Sequence, residues 1–147
     1  MKKKLNLINN DQARLNELVS LMNKIGFKLK AKRKGDVNFR MDATGTFFDF
    51  YVSLAIEFGK DHLNCTRQLL EDYSILCNRY NYKKNKVLLF SVFLDLPNKR
   101  SEYYKVVDDI YKVTSVKIYS ISIDQIEQMI KNNEKINKEN LKNYFIY

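Results

Sequence analysis

The chain has 147 residues, and its 26 Lys and Arg residues outnumber its 17 Asp and Glu residues, which gives a formal net charge of +9. This length suits one domain with one ordinary core, and a hydrophobic content of 45% argues against intrinsic disorder. No window reaches the ~20 apolar residues of a membrane-spanning helix, so we expect no membrane partner. The first ten residues have a basic start without an apolar stretch behind it, which predicts no secretory signal and a cytoplasmic location.

The first predicted element is an amphipathic helix from about Asp11 to Ile25, with Gly26 where a C-terminal cap belongs. Residues 27–33 and 37–41 then alternate between apolar and polar side chains around a turn at 34–36, which predicts a β-hairpin. The outer face of this hairpin carries five basic residues: Lys28, Lys30, Lys32, Lys34 and Arg40. We expect this face to follow a phosphate backbone. The alternative is that its lysines keep an exposed edge strand from pairing with other chains.

A turn at 42–45 is predicted to lead into an extended segment at 46–59, because aromatic and β-branched residues are enriched there. Helical register also fits this segment, but we expect a strand that bends or turns near Ser53. Four further elements are predicted in chain order: a helix from Asp61 or Asn64 to about Tyr80, a buried strand at 86–94, a helix from Pro97 to about Val113 and a strand at 115–121. A capping box of Ser122 and Gln125 starts the last helix, which runs to about Asn132.

This order of elements predicts an α/β (α+β) domain in which helices flank a mixed central β-sheet. No linker or repeat divides the chain, so residues 1–147 are expected to form a single domain with a core at about 11–132. The polar C-terminal extension at 133–147 has three apolar residues at helical spacing: Leu141, Tyr144 and Phe145. It can dock as a short helix or mediate self-association, as in a homodimer.

Charge and composition indicate the partner of the protein and exclude several classes of chemistry. A positive excess attracts polyanions, so nucleic acid is the expected partner. Cys65 and Cys77 are too far apart for a zinc knuckle, and His62 is the single histidine, which excludes zinc-hydrolase and Cys-His chemistry. Phosphate-binding glycine loops, dinucleotide-binding glycine patterns and nucleophile elbows are absent from the sequence. The abundance of Lys, Asn, Ile, Tyr and Phe is typical of AT-rich genes, such as those of phages and mobile elements.

A pair of carboxylates is the candidate catalytic feature. Asp49 and Glu57 have the same strand parity, and Lys60 follows them. If the segment turns near Ser53, the two carboxylates can converge on Mg²⁺ or Mn²⁺, and the lysine can orient or deprotonate the attacking water. Without that turn they would lie about 8 × 3.3 Å apart and could not share an ion. The alternative is that both carboxylates are ordinary surface or hydrogen-bonding groups.

The segment from Asp49 to Lys60, together with the order of elements, resembles the PD-(D/E)XK nuclease superfamily, which has the restriction-endonuclease-like fold. The resemblance covers roughly residues 11–94 and implies an αβββαβ core, here followed by an extra αβα. Family members carry an Asp on the second strand, an acidic residue on the third and a lysine two positions later. The resemblance therefore implies that Asp49 and Glu57 bind the metal and that Lys60 is catalytic, although Gly59 occupies the usual lysine position and no proline precedes Asp49.

Two helical features extend the resemblance. Glu17 on the first helix matches the place where some resolvase-like members hold an extra acidic metal ligand. Gln68 and Tyr73 on the second predicted helix are similar to a glutamine and tyrosine pair of RecB-type members, with one residue more between them.

The resemblance implies a metal-dependent nuclease or junction resolvase that acts on DNA, from a phage or mobile element. The first alternative is a non-catalytic protein of the same α/β class that binds nucleic acid or inhibits a host factor. The second is an assembly component that uses its tyrosine-rich surface, since tyrosines are enriched at protein interfaces.

Overall fold

The computed structural model describes residues 11–33 and 41–147. These residues form four α-helices: α1 (Asp11–Lys24), α2 (His62–Asn78), α3 (Glu102–Thr114) and α4 (Ile123–Lys131). They form five strands: β1 (Lys28–Ala31), β2 (Ala43–Phe47), β3 (Phe50–Glu57), β4 (Val87–Phe93) and β5 (Ile118–Ser122). Short 3₁₀ helices lie at Lys84–Lys86 and Leu141–Tyr144.

The strands form one sheet in the order β1-β2-β3-β4-β5. Strand β2 is antiparallel to both of its neighbours, β1 and β3, whereas β3, β4 and β5 are parallel because α2 and α3 return the chain across the sheet between them. The predicted α+β class, with a mixed sheet flanked by helices, is confirmed. So is the predicted order, an αβββαβ core followed by an extra αβα. None of the helices that the described ranges contain could cross a membrane.

Apolar side chains fill both faces of the sheet. One core cluster joins α1 and α4 to the sheet through residues such as Leu18, Phe90 and Ile126, and a second joins α2 and α3 to it through residues such as Leu69 and Tyr103. Strand β4 is buried on both faces, which explains its continuous apolar sequence. The predicted capping box at the start of α4 is present, because each partner accepts a backbone N–H from the other.

The C-terminal segment contributes to the first core cluster, so the core extends beyond the predicted limit at residue 132. Ile136 is 2% exposed and Leu141 is 7% exposed within that cluster. The backbone N–H of Ile136 also donates a 2.9 Å hydrogen bond to the carbonyl oxygen of Ile25, just after α1. This segment therefore docks on the domain, as one of the two predicted alternatives requires.

Two predicted turns are wrong in position. Of residues 42–45, predicted as a turn, the last three belong to β2, which is the strand that pairs with β1. The predicted partner of β1, at 37–41, lies outside the described residues except for Met41. Strand β3 runs unbroken through Ser53, where a bend was expected. The chain reverses instead at Phe48 and Asp49, with Phe48 at a φ of 53°, so that Phe47 pairs with Phe50.

Candidate metal and nucleic-acid site

The carboxylates that the sheet brings together are Asp42 and Glu57. Asp42 directly precedes β2, and Glu57 is the last residue of the neighbouring β3. The register pairs Ala43 with Leu54, so Asp42 and Glu57 point to the same sheet face, the one covered by α2. One Asp42 carboxylate oxygen, Oδ2, accepts a 2.9 Å hydrogen bond from the backbone N–H of Ile56, the residue before Glu57.

These groups are close enough to influence one another electrostatically. Burial raises the pKa of the Asp42 carboxyl above its usual 3.8, and the negative charge of Glu57 adds to this increase. Hydrogen bonds from Ile56 and Gln68, and the positive charge of Lys32, oppose it. On α2, burial raises the pKa of the Cys65 thiol to about 12, with further contributions from Glu57 and Asp42. Two carboxylates thus share a partly desolvated position beside the first turns of α2.

The end of β3 departs from the family pattern at the lysine. Gly59 is exposed at the position where the family has a lysine, and its backbone N–H donates a 2.8 Å hydrogen bond to Glu57 Oε1. Lys60 is exposed and lines a cleft of about 430 Å³ between the ends of β3 and β4, together with His62. The cation near Asp42 is instead Lys32, the residue after β1, which is half-buried and influences Asp42 directly.

Asp49 lies at the other end of β3. It occupies the β2–β3 turn, and a strand of eight residues separates it from the end at Glu57. This separation exceeds about 20 Å, so the expected convergence of Asp49 and Glu57 on one ion does not occur. The Asp49 carboxylate contacts two ammonium groups, Lys138 Nζ at 3.0 Å and Lys86 Nζ in a second ion pair. It fastens the turn to the start of β4 and to the C-terminal segment.

We expect an Asp49→Asn variant to melt at a lower temperature than the wild-type chain at pH 7. Hydrogen bonds from Lys86 and Lys138 hold the pKa of Asp49 well below its usual range. The contribution of this group to stability is therefore present above its ordinary pKa and is lost as the pH falls. The effect is small, because the ion pairs are exposed and screened by salt. Thermal melts at pH 7 and pH 3 check it: the wild-type advantage is expected to be smaller at pH 3 and to disappear only below the lowered pKa, so an advantage as large at pH 3 as at pH 7 contradicts it.

The pair Asp42 and Glu57 fits Mg²⁺ or Mn²⁺ in its donor chemistry. Mg²⁺ is commonly held by one or two carboxylates, with waters and substrate phosphates completing the coordination. Burial is the main cause of the raised pKa of Asp42, and the nearby charge of Glu57 adds to it; a divalent cation would offset both effects. Within 11–33 and 41–147, no three Asp, Glu, His or Cys side chains form a metal-binding group, so Glu17 on α1 does not complete a triplet with this pair.

The predicted basic face is present on β1 as far as the structure describes it. Lys28 pairs with Thr46 and Lys30 with Thr44, which places both lysines on the sheet face that carries Asp42 and Glu57. Both are exposed, and Leu29 between them is buried, as the alternation predicts. Lys32 continues the row, with its N–H bonded to the Asp42 carbonyl at 2.8 Å. The remaining two members, Lys34 and Arg40, lie outside the described residues.

Sequence reasoning singled out Asp49, not Asp42, as the carboxylate that lies near Glu57. The run Asp-Ala-Thr-Gly at 42–45 has the composition of a turn, and only the pairing of β2 with β3 places Asp42 beside Glu57. One sequence signal indicates this site: Gln68 is part of the family resemblance, and its side chain hydrogen-bonds the Asp42 carboxylate. The residue one helical turn beyond Gln68 is the buried Asp72, which accepts a 3.1 Å hydrogen bond from Ser53, while Tyr73 is half-buried beside it.

Comparison with known proteins supports the fold. No family model and no curated protein matches the chain. Among solved structures, it is similar to the small subunit of the heterodimeric restriction endonuclease R.BspD6I, with a TM-score of 0.63 and 10% sequence identity over 97% of this chain and 82% of that one. A likeness at this identity concerns the fold. The chain therefore has a restriction-endonuclease-like fold, as expected from its order of elements.

Proposed function

We propose that this protein is a divergent member of the PD-(D/E)XK superfamily and a divalent-metal-dependent nuclease that acts on DNA. The observation that carries the proposal is the contact of Asp42 with the strand of Glu57, because it sets two carboxylates together at the ends of the second and third strands. These are the strands on which the family holds its acidic residues. The basic row on the same face and the net charge of +9 support a nucleic-acid substrate.

The proposal gives each side chain a role. Asp42 and Glu57 hold Mg²⁺ or Mn²⁺, and the Gln68 amide fixes the orientation of the Asp42 carboxylate. A bound divalent cation acts as a Lewis acid on the scissile phosphate and lowers the pKa of a coordinated water. Lys32, beside Asp42, supplies the positive charge that Gly59 cannot, and stabilises negative charge on the phosphate. Lys28 and Lys30 bind the phosphates that follow.

The second candidate function is DNA binding without catalysis, and one observation favours it. Gly59 replaces the usual lysine, and its N–H occupies Glu57 Oε1, an oxygen that a metal would otherwise use. In that case the basic row on β1 binds DNA in a salt-dependent way, and divalent metal changes neither stability nor affinity. Lys60, the catalytic cation that the sequence predicts, lines the cleft just after β3 and is the other candidate for that role beside Lys32.

A cleavage assay tests the proposal. Linear, nicked and branched DNA are incubated with the purified chain and with Mg²⁺, Mn²⁺ or EDTA. We expect cleavage only with metal, and an approximately 100-fold lower rate for Glu57→Gln, since the amide keeps the shape but loses the charge that holds the ion. Glu102→Gln, at the start of α3, removes an exposed carboxylate outside the proposed site and is expected to retain the wild-type rate.

The outcomes separate the candidates. Equal cleavage by Glu57→Gln and the wild-type chain contradicts the site, and DNA binding without metal-dependent cleavage favours the second function. If Lys32→Ala cleaves at the wild-type rate and Lys60→Ala is inactive, the catalytic cation is Lys60.

A further inference from the structure

The sheet face that carries the two carboxylates also has an aromatic feature at its opposite end. In the register, Lys28, Thr46 and Tyr51 form one row across three strands, and so project to the same side of the sheet. The Tyr51 ring stacks on the Tyr82 ring, with centroids 4.3 Å apart and planes at 20°. The stacked pair therefore lies beside the β2–β3 turn. Asp42 lies at the opposite end of the same sheet face.

Tyr82 is held in place by its backbone as well as by this stack. Its N–H donates a 3.1 Å hydrogen bond to the carbonyl oxygen of Leu76 in α2, and Asn81 before it adopts a left-handed conformation with a φ of 58°. Despite these contacts, 38% of Tyr82 remains exposed. A rigid and partly exposed ring loses little conformational entropy on binding a flat partner, which is the property of a stacking platform.

A basic row borders the route from the aromatic pair to the carboxylates. From Tyr51 to Glu57 along β3 is roughly 20 Å, and α2 covers the middle of this stretch. Lys28 and Lys30 are exposed on the edge strand β1, and their row runs from the level of Tyr51 towards that of Asp42. Aromatic rings combined with a row of cations that follows a backbone are the usual elements of single-strand recognition. In a duplex, each base face is covered by its neighbours, so a protein ring gains a base face only where the base is unpaired.

We infer that the stacked pair Tyr51 and Tyr82 binds an unpaired nucleobase of a strand whose phosphates lie on Lys28 and Lys30 and lead to Asp42 and Glu57. The inference rests on the proposed function for the end of the DNA strand that reaches Asp42 and Glu57. It names the substrate class: DNA with a single-stranded segment, such as a flap, gap or overhang. A base on the exposed Tyr82 sets the distance of the scissile phosphate from the unpaired position.

Binding measurements without metal test the inference independently of cleavage. Fluorescence anisotropy of a labelled single-stranded oligonucleotide and of its duplex, in EDTA, gives the two dissociation constants. We expect Tyr82→Ala to raise the single-strand Kd about 10-fold and to leave the duplex Kd unchanged. Tyr82→Phe keeps the ring and is expected to retain wild-type affinity. Tyr80→Ala removes a neighbouring tyrosine that is 63% exposed and has no stacking partner in the described residues, and it is expected to have no effect.

Other outcomes overturn the inference. An unchanged single-strand Kd in Tyr82→Ala, or an equal loss in Tyr80→Ala, removes the stacking role. An equal loss of duplex binding with an unchanged melting temperature identifies Tyr82 as a general DNA contact. If Tyr82→Ala weakens single-strand binding but Glu57→Gln leaves the cleavage rate unchanged, the nuclease proposal fails and the stacking site stands. If Glu57→Gln slows cleavage but Tyr82→Ala leaves single-strand binding unchanged, the nuclease proposal stands and the stacking site fails.

Discussion

An Asp42→Asn variant is expected to cleave DNA about 1,000-fold more slowly than the wild-type chain, and yet to melt at a higher temperature in metal-free buffer at pH 7. The loss of cleavage follows from its place as one of the two proposed metal ligands. The gain in stability follows from its pKa, which burial raises above the usual 3.8. The asparagine can still accept the N–H of Ile56, so the contact that orders the strand ends remains.

The contribution of Asp42 to stability depends on pH. Because folding raises the pKa of Asp42, the folded chain binds a proton more tightly than the unfolded chain. The favourable contribution is complete below the ordinary pKa of 3.8 and is lost as the pH rises through the raised value. At neutral pH the wild-type carboxylate is therefore desolvated at a cost, which the neutral asparagine avoids. Asp49→Asn acts in the opposite direction and is the matched control.

Thermal melts with and without Mg²⁺ check the prediction. Mg²⁺ is expected to raise the wild-type melting temperature by mass action and to leave that of Asp42→Asn unchanged. A metal-free Asp42→Asn variant that melts below the wild-type chain at pH 7 contradicts the electrostatic argument. A metal-induced increase that Asp42→Asn retains contradicts the assignment of Asp42 as a ligand.

A Gly45→Ala variant is expected to lose about 3 kcal/mol of stability, which corresponds to a melting temperature roughly 10 °C lower. A Cβ atom at Gly45 would lie 1.9 Å from the carbonyl oxygen of Lys28 and 2.8 Å from Cα of Leu29. Both are backbone atoms of β1, so the clash cannot be relieved by a side-chain rotation. Strand β1 must move away from β2, and it carries the lysine row with it.

Gly59→Ala is the matched control for this substitution. The nearest atom to its added Cβ is Glu57 Oε1 at 2.9 Å, the end of a flexible side chain that can move. Its stability is expected to change by less than about 1 kcal/mol. Urea unfolding measures both variants, and DNA affinity should decrease with Gly45→Ala only. A Gly45→Ala chain as stable as Gly59→Ala would show that β1 does not approach β2 this closely in solution.

The elements that local patterns specify could be predicted from the sequence. The apolar run of β4 indicates burial on both faces, and the residues at Ser122 and Gln125 indicate the start of α4. The alternation around Leu29 likewise predicts β1 with exposed lysines. In each case the neighbours along the chain carry the information that sets the structure.

The position of the carboxylate pair could not be predicted in this way. It depends on the register of Ala43 with Leu54, which the two-residue reversal at Phe48 and Asp49 sets. An aspartate in a tight turn and an aspartate at the start of a strand have the same local signal, a polar residue among turn-forming neighbours. Gly45 permits β2 to lie against β1, but a glycine in that context also indicates a turn. Only the pairing of β2 with β3 in the tertiary structure shows that Asp42, and not Asp49, lies beside Glu57.

The hydrogen bond from Ile136 to Ile25 has a consequence for folding during synthesis. The core beneath α1 includes Ile136 and Leu141, so α1 can pack locally on β1 early but its buried surface cannot be completed until these residues have left the ribosome. Contacts this distant in sequence are formed late and slow the folding of the whole domain. A nascent chain that already contains the five described strands therefore still exposes the apolar surface that these residues cover.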